Sequence, residues 1–179
     1  ISPLIYYKER LLTLENVSVK YGGNTVCSNV NFTLERGDRA AVKGRNGSGK
    51  SSILKLICGE NIEYEGTLIK GSGIIISYVS QDTSFLKGNL SEYAENSNID
   101  ESLFKAILRK MDFSREQFDK NIENFSGGQK KKVLIAKSLC EKAHIYIWDE
   151  PLNFIDVISR MQIERLIKEF EPTMLFVEH

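Results

Sequence analysis

The run Gly44-Arg45-Asn46-Gly47-Ser48-Gly49-Lys50-Ser51 constrains this chain more than any other part of it. It has the spacing GxxxxGK[ST] of a P-loop. Glycines let the backbone curl so that successive N–H groups point inward, a geometry that suits phosphate oxygens. The apolar strand Ala40-Ala41-Val42 precedes the run. A helical pattern follows from Lys50 to Cys58, with Ile53, Leu54 and Ile57 on one face and Gly59 as its stop. The start of that helix adds its positive end to the phosphate site. Lys50 is expected to reach the β- and γ-phosphates of a nucleotide, and Ser51 to place its hydroxyl on Mg2+.

The rest of the chain reads as an ordinary globular domain. It has 179 residues, 41% hydrophobic and 27% charged, which excludes disorder, collagen and coiled coil. No apolar run approaches the roughly 18 residues of a membrane helix, and no leader pattern opens the chain. It begins at Ile1 rather than Met, as expected of a piece of something longer. Cys27, Cys58 and Cys140 have no CxxC spacing and read as buried, reduced thiols of a cytoplasmic protein.

Alternating apolar residues predict strands through Leu12–Val19 and Val30–Leu34, joined at Gly22-Gly23. Two more strands fall within 66–79. Leu103, Ile107 and Leu108 suggest one face of a helix in the acidic stretch 88–125. Helices are also predicted from Ser126 to about Lys142 and over Ile155–Phe170, the latter burying Ile163, Leu166, Ile167 and Phe170. Strands at Ile145–Trp148 and Thr173–Val177 complete a parallel α/β pattern.

The strand Ile145-Tyr146-Ile147-Trp148 ends in Asp149-Glu150. Behind a P-loop this is the arrangement in which Asp149 holds Mg2+ and Glu150 polarises the attacking water. His144 reads as a strand-edge histidine and Trp148 as core.

Between the two sites stands Phe125-Ser126-Gly127-Gly128-Gln129 at the head of a helix. Here the chain resembles the nucleotide-binding domain of the ATP-binding cassette superfamily, whose signature is LSGGQ, with Phe125 in place of Leu. The resemblance covers residues 11–179. It implies an α/β fold: a P-loop NTPase with a RecA-like parallel core, an N-terminal antiparallel β subdomain and a short helical subdomain. The whole of 1–179 would be one ATPase domain. Its antiparallel part would lie near 11–37, its core in 38–82 and 143–179, and its helical subdomain with the signature near 88–142.

The resemblance also implies roles. Ser126, Gly127, Gly128 and Gln129 would reach a nucleotide held by a second domain. Gln81 would touch Mg2+ or the attacking water, and His179 would contact the γ-phosphate. Tyr21, 23 residues before Gly44, would stack on adenine, with Tyr6 and Tyr7 as alternatives. Ser52 joins Gly44–Ser51 as a nucleotide-binding residue.

Pro151-Leu152-Asn153-Phe154-Ile155-Asp156 is similar to the D-loop of the ABC-F subfamily, commonly EPTNHLD, and especially to antibiotic-resistance members that act on ribosomes. Leu152 and Phe154 depart from the commonest form. The separation of Gln81 from Ser126, 45 residues, is short for a domain that grips membrane helices. Both features favour ABC-F over the ATPase subunit of a membrane transporter. The expected protein is thus the C-terminal cassette of a tandem pair, using ATP and Mg2+, cytoplasmic and ribosome-associated, and weak as an ATPase alone. A pure binding module that senses ATP is disfavoured by the intact Lys50, Asp149, Glu150 and His179.

Charge is segregated. Residues 1–59 carry 9 basic and 4 acidic groups, and residues 60–129 carry 7 and 12. Lys130-Lys131-Lys132 reads as the exposed first turns of the signature helix rather than a contact for ribosomal RNA, since a chain of zero net charge lacks a broad basic footprint.

Overall fold

The computed structural model describes residues 2–43 and 49–178. It divides into two compact units. One holds Leu4–Tyr78, Ala143–Glu150 and Pro172–His179; the other holds Ile1–Pro3, Val79–Lys142 and Pro151–Glu171.

The first unit carries both sheets. β1 (Arg10–Tyr21), β2 (Asn24–Glu35) and β4 (Tyr64–Lys70) form an antiparallel sheet in the order β2-β1-β4. β1 and β2 meet at Gly22-Gly23. Both have positive φ, the geometry that matches the twist of a two-residue hairpin. β3 (Arg39–Lys43), β5 (Ile76–Val79), β6 (Ile145–Asp149) and β7 (Met174–Glu178) form a second sheet in the order β3-β7-β6-β5, with β3, β7 and β6 parallel. α1 (Lys50–Ile57) buries Ile53, Leu54 and Ile57 in a core shared with Leu12, Leu14, Ile147 and Val177.

Leu12, Leu14, Val17 and Val19 are all buried, although strict alternation would place Leu14 and Val17 on opposite faces. Asn16 resolves the conflict. Its φ of +52° makes a bulge, and the register shifts between Leu14 and Val17. Gly66 of β4 packs against that bulge, with the Asn16 carbonyl where a Cβ would go. His144 has a structural role here: its Nδ1 accepts the Ile75 N–H at 2.9 Å. Tyr6 is buried and its O–H donates to the Ser72 carbonyl at 2.7 Å, so it is not available to stack on a base.

The second unit is helical: α2 (Leu90–Asn96), α3 (Glu101–Lys110), α4 (Arg115–Phe118), α5 (Gly127–Cys140) and α6 (Val157–Phe170). Asn89, Asp100, Ser126 and Asp156 cap four of them by accepting N–H groups of the first turn. Two expected core positions differ. α3 buries Phe104 with Ile107 and Leu108 and leaves Leu103 exposed, because the larger ring takes the inward position. Phe170 is exposed because α6 ends there, at Glu171 with φ +45°.

The three thiols are free and only half-buried. Burial still pushes Cys58 and Cys140 up to about 11, so both stay protonated at neutral pH.

Gly66→Ala should destabilise the first unit. The φ of +96° disfavours an L side chain, worth about 1–2 kcal/mol, and overlap with Asn16 adds to it. A urea midpoint equal to wild type would contradict this account of the bulge.

Candidate functional site

In the first unit the site begins at Gly49, which caps α1 with φ +80°. A Cβ there would lie 2.8 Å from the Val26 carbonyl oxygen and 2.9 Å from Cys27 Cβ, so only glycine fits. Lys50 opens α1 and is buried, with Ser51 next in the same turn. Ser51 Oγ donates to Asp149 Oδ2 at 2.7 Å. Asp149 ends β6 and is 1% exposed. The structure therefore joins the start of the P-loop helix to the acidic end of β6. A hydroxyl and a carboxylate side by side are hard oxygen donors, and that donor set fits Mg2+.

Glu150 follows with φ +51° and is 9% exposed. A left-handed glutamate is uncommon, and such backbone strain concentrates at functional sites. Tyr21 stands at the tip of the β1–β2 hairpin and is 46% exposed. Ser52 lies in α1. Gly44, Arg45, Asn46, Gly47, Ser48 and His179 lie outside the described residues.

The second unit holds the other expected groups. Gln81 is exposed, one residue after Ser80, whose Oγ donates to the Asp82 carbonyl at 2.7 Å. Ser126 and Gln129 form a reciprocal cap. Ser126 Oγ accepts the Gln129 N–H at 3.2 Å, and Gln129 Oε1 accepts the Ser126 N–H at 2.9 Å. Gly127 has open space where a Cβ would be, whereas a Cβ on Gly128 would lie 2.5 Å from the Phe154 carbonyl oxygen. The second glycine is thus demanded by packing against the segment after Glu150.

Sequence reading missed the next feature. Lys131 and Lys132 are not solvated: they are 4% and 7% exposed. Lys131 Nζ donates to the Ser80 carbonyl at 2.9 Å, and Lys132 Nζ pairs with Asp156 Oδ1 at 2.7 Å. Asp156 also accepts the Ser159 N–H at 3.0 Å and the Ser159 O–H at 2.8 Å. The D-x-x-S spacing from Asp156 to Ser159 signals such a cap, but nothing local signals the lysine partners.

Residues 27–153 match the sequence model of the family described as ABC transporter. The chain belongs to the ABC transporter family. Members of this family are ATP-hydrolysing P-loop enzymes whose domains work in pairs, and the chain is an ATPase domain of that kind. It is 30% identical over 177 residues to ribosome protection protein VmlR of Bacillus subtilis, covering 96% of this chain and 32% of that protein. It is 28% identical over 177 residues to ABC transporter F family member 2 of Arabidopsis thaliana, covering 94% and 26%. The chain spans about a third of the length of the curated relatives it matches. The solved structure of a bacterial Atm1-family ABC exporter with ATP bound superposes with a TM-score of 0.81, over 99% of this chain and 36% of that one, at 18% identity. That likeness shows the ABC ATPase fold, with its parallel core, antiparallel β part and helices. No helix among the described residues is long and apolar enough to cross a membrane.

The acid limb of stability should carry the mark of Asp156. Burial alone would raise its carboxyl. The Lys132 ammonium and the two Ser159 bonds overcome this and hold it well below the ordinary value of 3.8. A carboxyl depressed in the folded state stabilises above its unfolded value, and that stability is lost as pH falls below it. Between about pH 4 and pH 2, wild type should therefore lose stability more steeply than Asp156→Asn. Parallel acid slopes in urea melts would argue that the pair is not formed.

Proposed function

We propose that this domain is one cassette of a longer ABC-F protein and that two cassettes close around ATP. The observation that carries the reading is the Ser51–Asp149 hydrogen bond of 2.7 Å, with Lys50 and Glu150 adjacent in sequence. That bond sets the first turn of α1 beside the acidic end of β6, which supports a single site for phosphate binding, metal ligation and water activation. Gly44–Ser52 would cradle the phosphates, and Lys50 would offset their negative charge. Ser51 and Asp149 would hold Mg2+, which supplies Lewis-acid polarisation of the phosphoryl oxygens. Glu150 would take a proton from the attacking water, and His179 would contact the γ-phosphate. Tyr21 would stack on the base.

The Ser126–Gln129 loop of a second cassette would complete each site, so closure is favoured by contacts made only in the pair. Family domains work in pairs, and the relatives are about three times the length of this chain. Both facts support a tandem protein in which 1–179 is a single ATPase domain with an antiparallel part, a P-loop core and a helical part. The printed name of VmlR, a ribosome protection protein, supports a cytoplasmic, ribosome-directed role for the full-length protein.

The isolated domain should bind ATP yet hydrolyse it slowly, with specific activity rising as protein concentration rises. Brisk turnover per molecule, constant on dilution, would refute pairing. Glu150→Gln should retain ATP binding and lose about 10²–10⁴-fold in hydrolysis, the usual worth of a positioned base. The full-length Glu150→Gln protein should sediment with ribosomes in ATP. Recovery with membranes instead would point to a transporter subunit.

A further inference from the structure

Two adjacent buried lysines serve no part of the site as described so far. Burying an ammonium is costly unless its donors are used, so each of these must repay its desolvation through a specific partner. Neighbouring residues on a helix point about 100° apart. Lys131 and Lys132 thus reach two different segments from one turn of α5. Lys131 bonds the Ser80 carbonyl, one residue before Gln81. Lys132 bonds Asp156, which ends the segment Pro151–Asp156. Lys131 stands only three residues after Gly128, against which the Phe154 carbonyl packs. Arg160 fixes the segment from its other side, donating to the Ile155 and Leu152 carbonyls at 3.0 and 2.9 Å.

Three segments that carry expected functional groups are therefore tied to one helical turn inside the second unit. These are the Gln81 segment, the Ser126–Gln129 loop and the segment that follows Glu150. We propose that Lys131 and Lys132 are positioning residues for ATP turnover, holding the Gln81 and Pro151–Asp156 segments in register with the Ser126–Gln129 loop. The proposal rests on the paired-cassette reading above and adds to it a specific device. Each lysine acts through a backbone carbonyl or a carboxylate, so loss of either should misplace a segment without removing a binding contact. A displacement of about 1 Å at a reacting group is enough to cost about 10²-fold in rate.

The test is steady-state kinetics on the full-length protein, with ATP affinity followed separately by a fluorescent ATP analogue. Lys132→Met keeps the unbranched apolar stem of the side chain, one atom shorter, and removes its charge. It should lower kcat by about tenfold to a hundredfold and change KM and analogue affinity by less than about threefold. Lys132→Arg should restore most of kcat. Asp156→Asn should reproduce the loss, and the double variant should be no worse than Lys132→Met alone. Lys131→Met should lower kcat through the other segment and add to the Lys132 effect.

A kcat within about twofold of wild type in folded Lys131→Met and Lys132→Met would overturn the proposal. So would a loss that Arg fails to rescue, or one in which KM rises in proportion. Should Lys132→Met fail to fold, Asp156→Asn and Lys131→Met carry the same decision. Wild-type turnover that is independent of pairing would instead defeat the paired-cassette reading, whatever the lysine variants do.

Discussion

The site in the first unit depends on the parallel register of three strands. Lys43 of β3 lies opposite Glu178 of β7, and Val177 of β7 lies opposite Asp149 of β6. Strands that run the same way and in step must end on the same edge. The chain leaves β3 into the glycine-rich run, leaves β6 into Glu150, and leaves β7 at residue 178. No side chain has to search for this arrangement, since backbone hydrogen bonds impose it. The Ser51–Asp149 bond then locks α1 onto the shared edge. The bond suits this task because Asp149 is buried, and losing the Ser51 hydroxyl takes a partner from a desolvated carboxylate, a penalty of about 1–3 kcal/mol.

The fold of the first unit, and the approach of Ser51 to Asp149 within it, were legible because each depends on short-range pattern. A glycine run between strand and helix, and two acids at the end of an apolar strand, announce themselves within a few residues. The bulge at Asn16 was not legible. An asparagine at positive φ leaves no mark on hydropathy, and its sign is only that Leu14 and Val17 are both apolar. The left-handed Glu150 was equally silent, since a glutamate can stand there only because the flanking structure forces it.

The lysine run shows the opposite failure. Hydropathy alone assigns three consecutive lysines to solvent, a sound default because the type is rarely buried. The default fails when the partner is remote in sequence. Ser80 lies 51 positions from Lys131, and it offers a backbone carbonyl, a group every residue has. Asp156 caps another helix altogether. Periodicity cannot see such a pairing. The charge count hints at it, because residues 130–179 carry 8 groups of each sign and can pair internally.

Phe125 departs from the Leu of the usual signature, and the same network accounts for it. Its ring meets Phe113 edge-on, with centroids 5.5 Å apart at 83°, and Phe113 in turn packs against Phe118. Lys132 Nζ lies 6.0 Å from the centre of the Phe113 ring. At that distance the cation–π attraction is at the weak end, about 0.5–1 kcal/mol, so the Asp156 carboxylate dominates the placement of the ammonium. The aromatic cluster supplies something else: an apolar wall against which the Lys132 side chain is buried, while Asp156 stays half exposed to solvent. A leucine would fill less of that wall. The departure at Phe125 and the buried Lys132 are then one packing solution, in which the ring at the head of the signature and the buried stem of the lysine after it share Phe113.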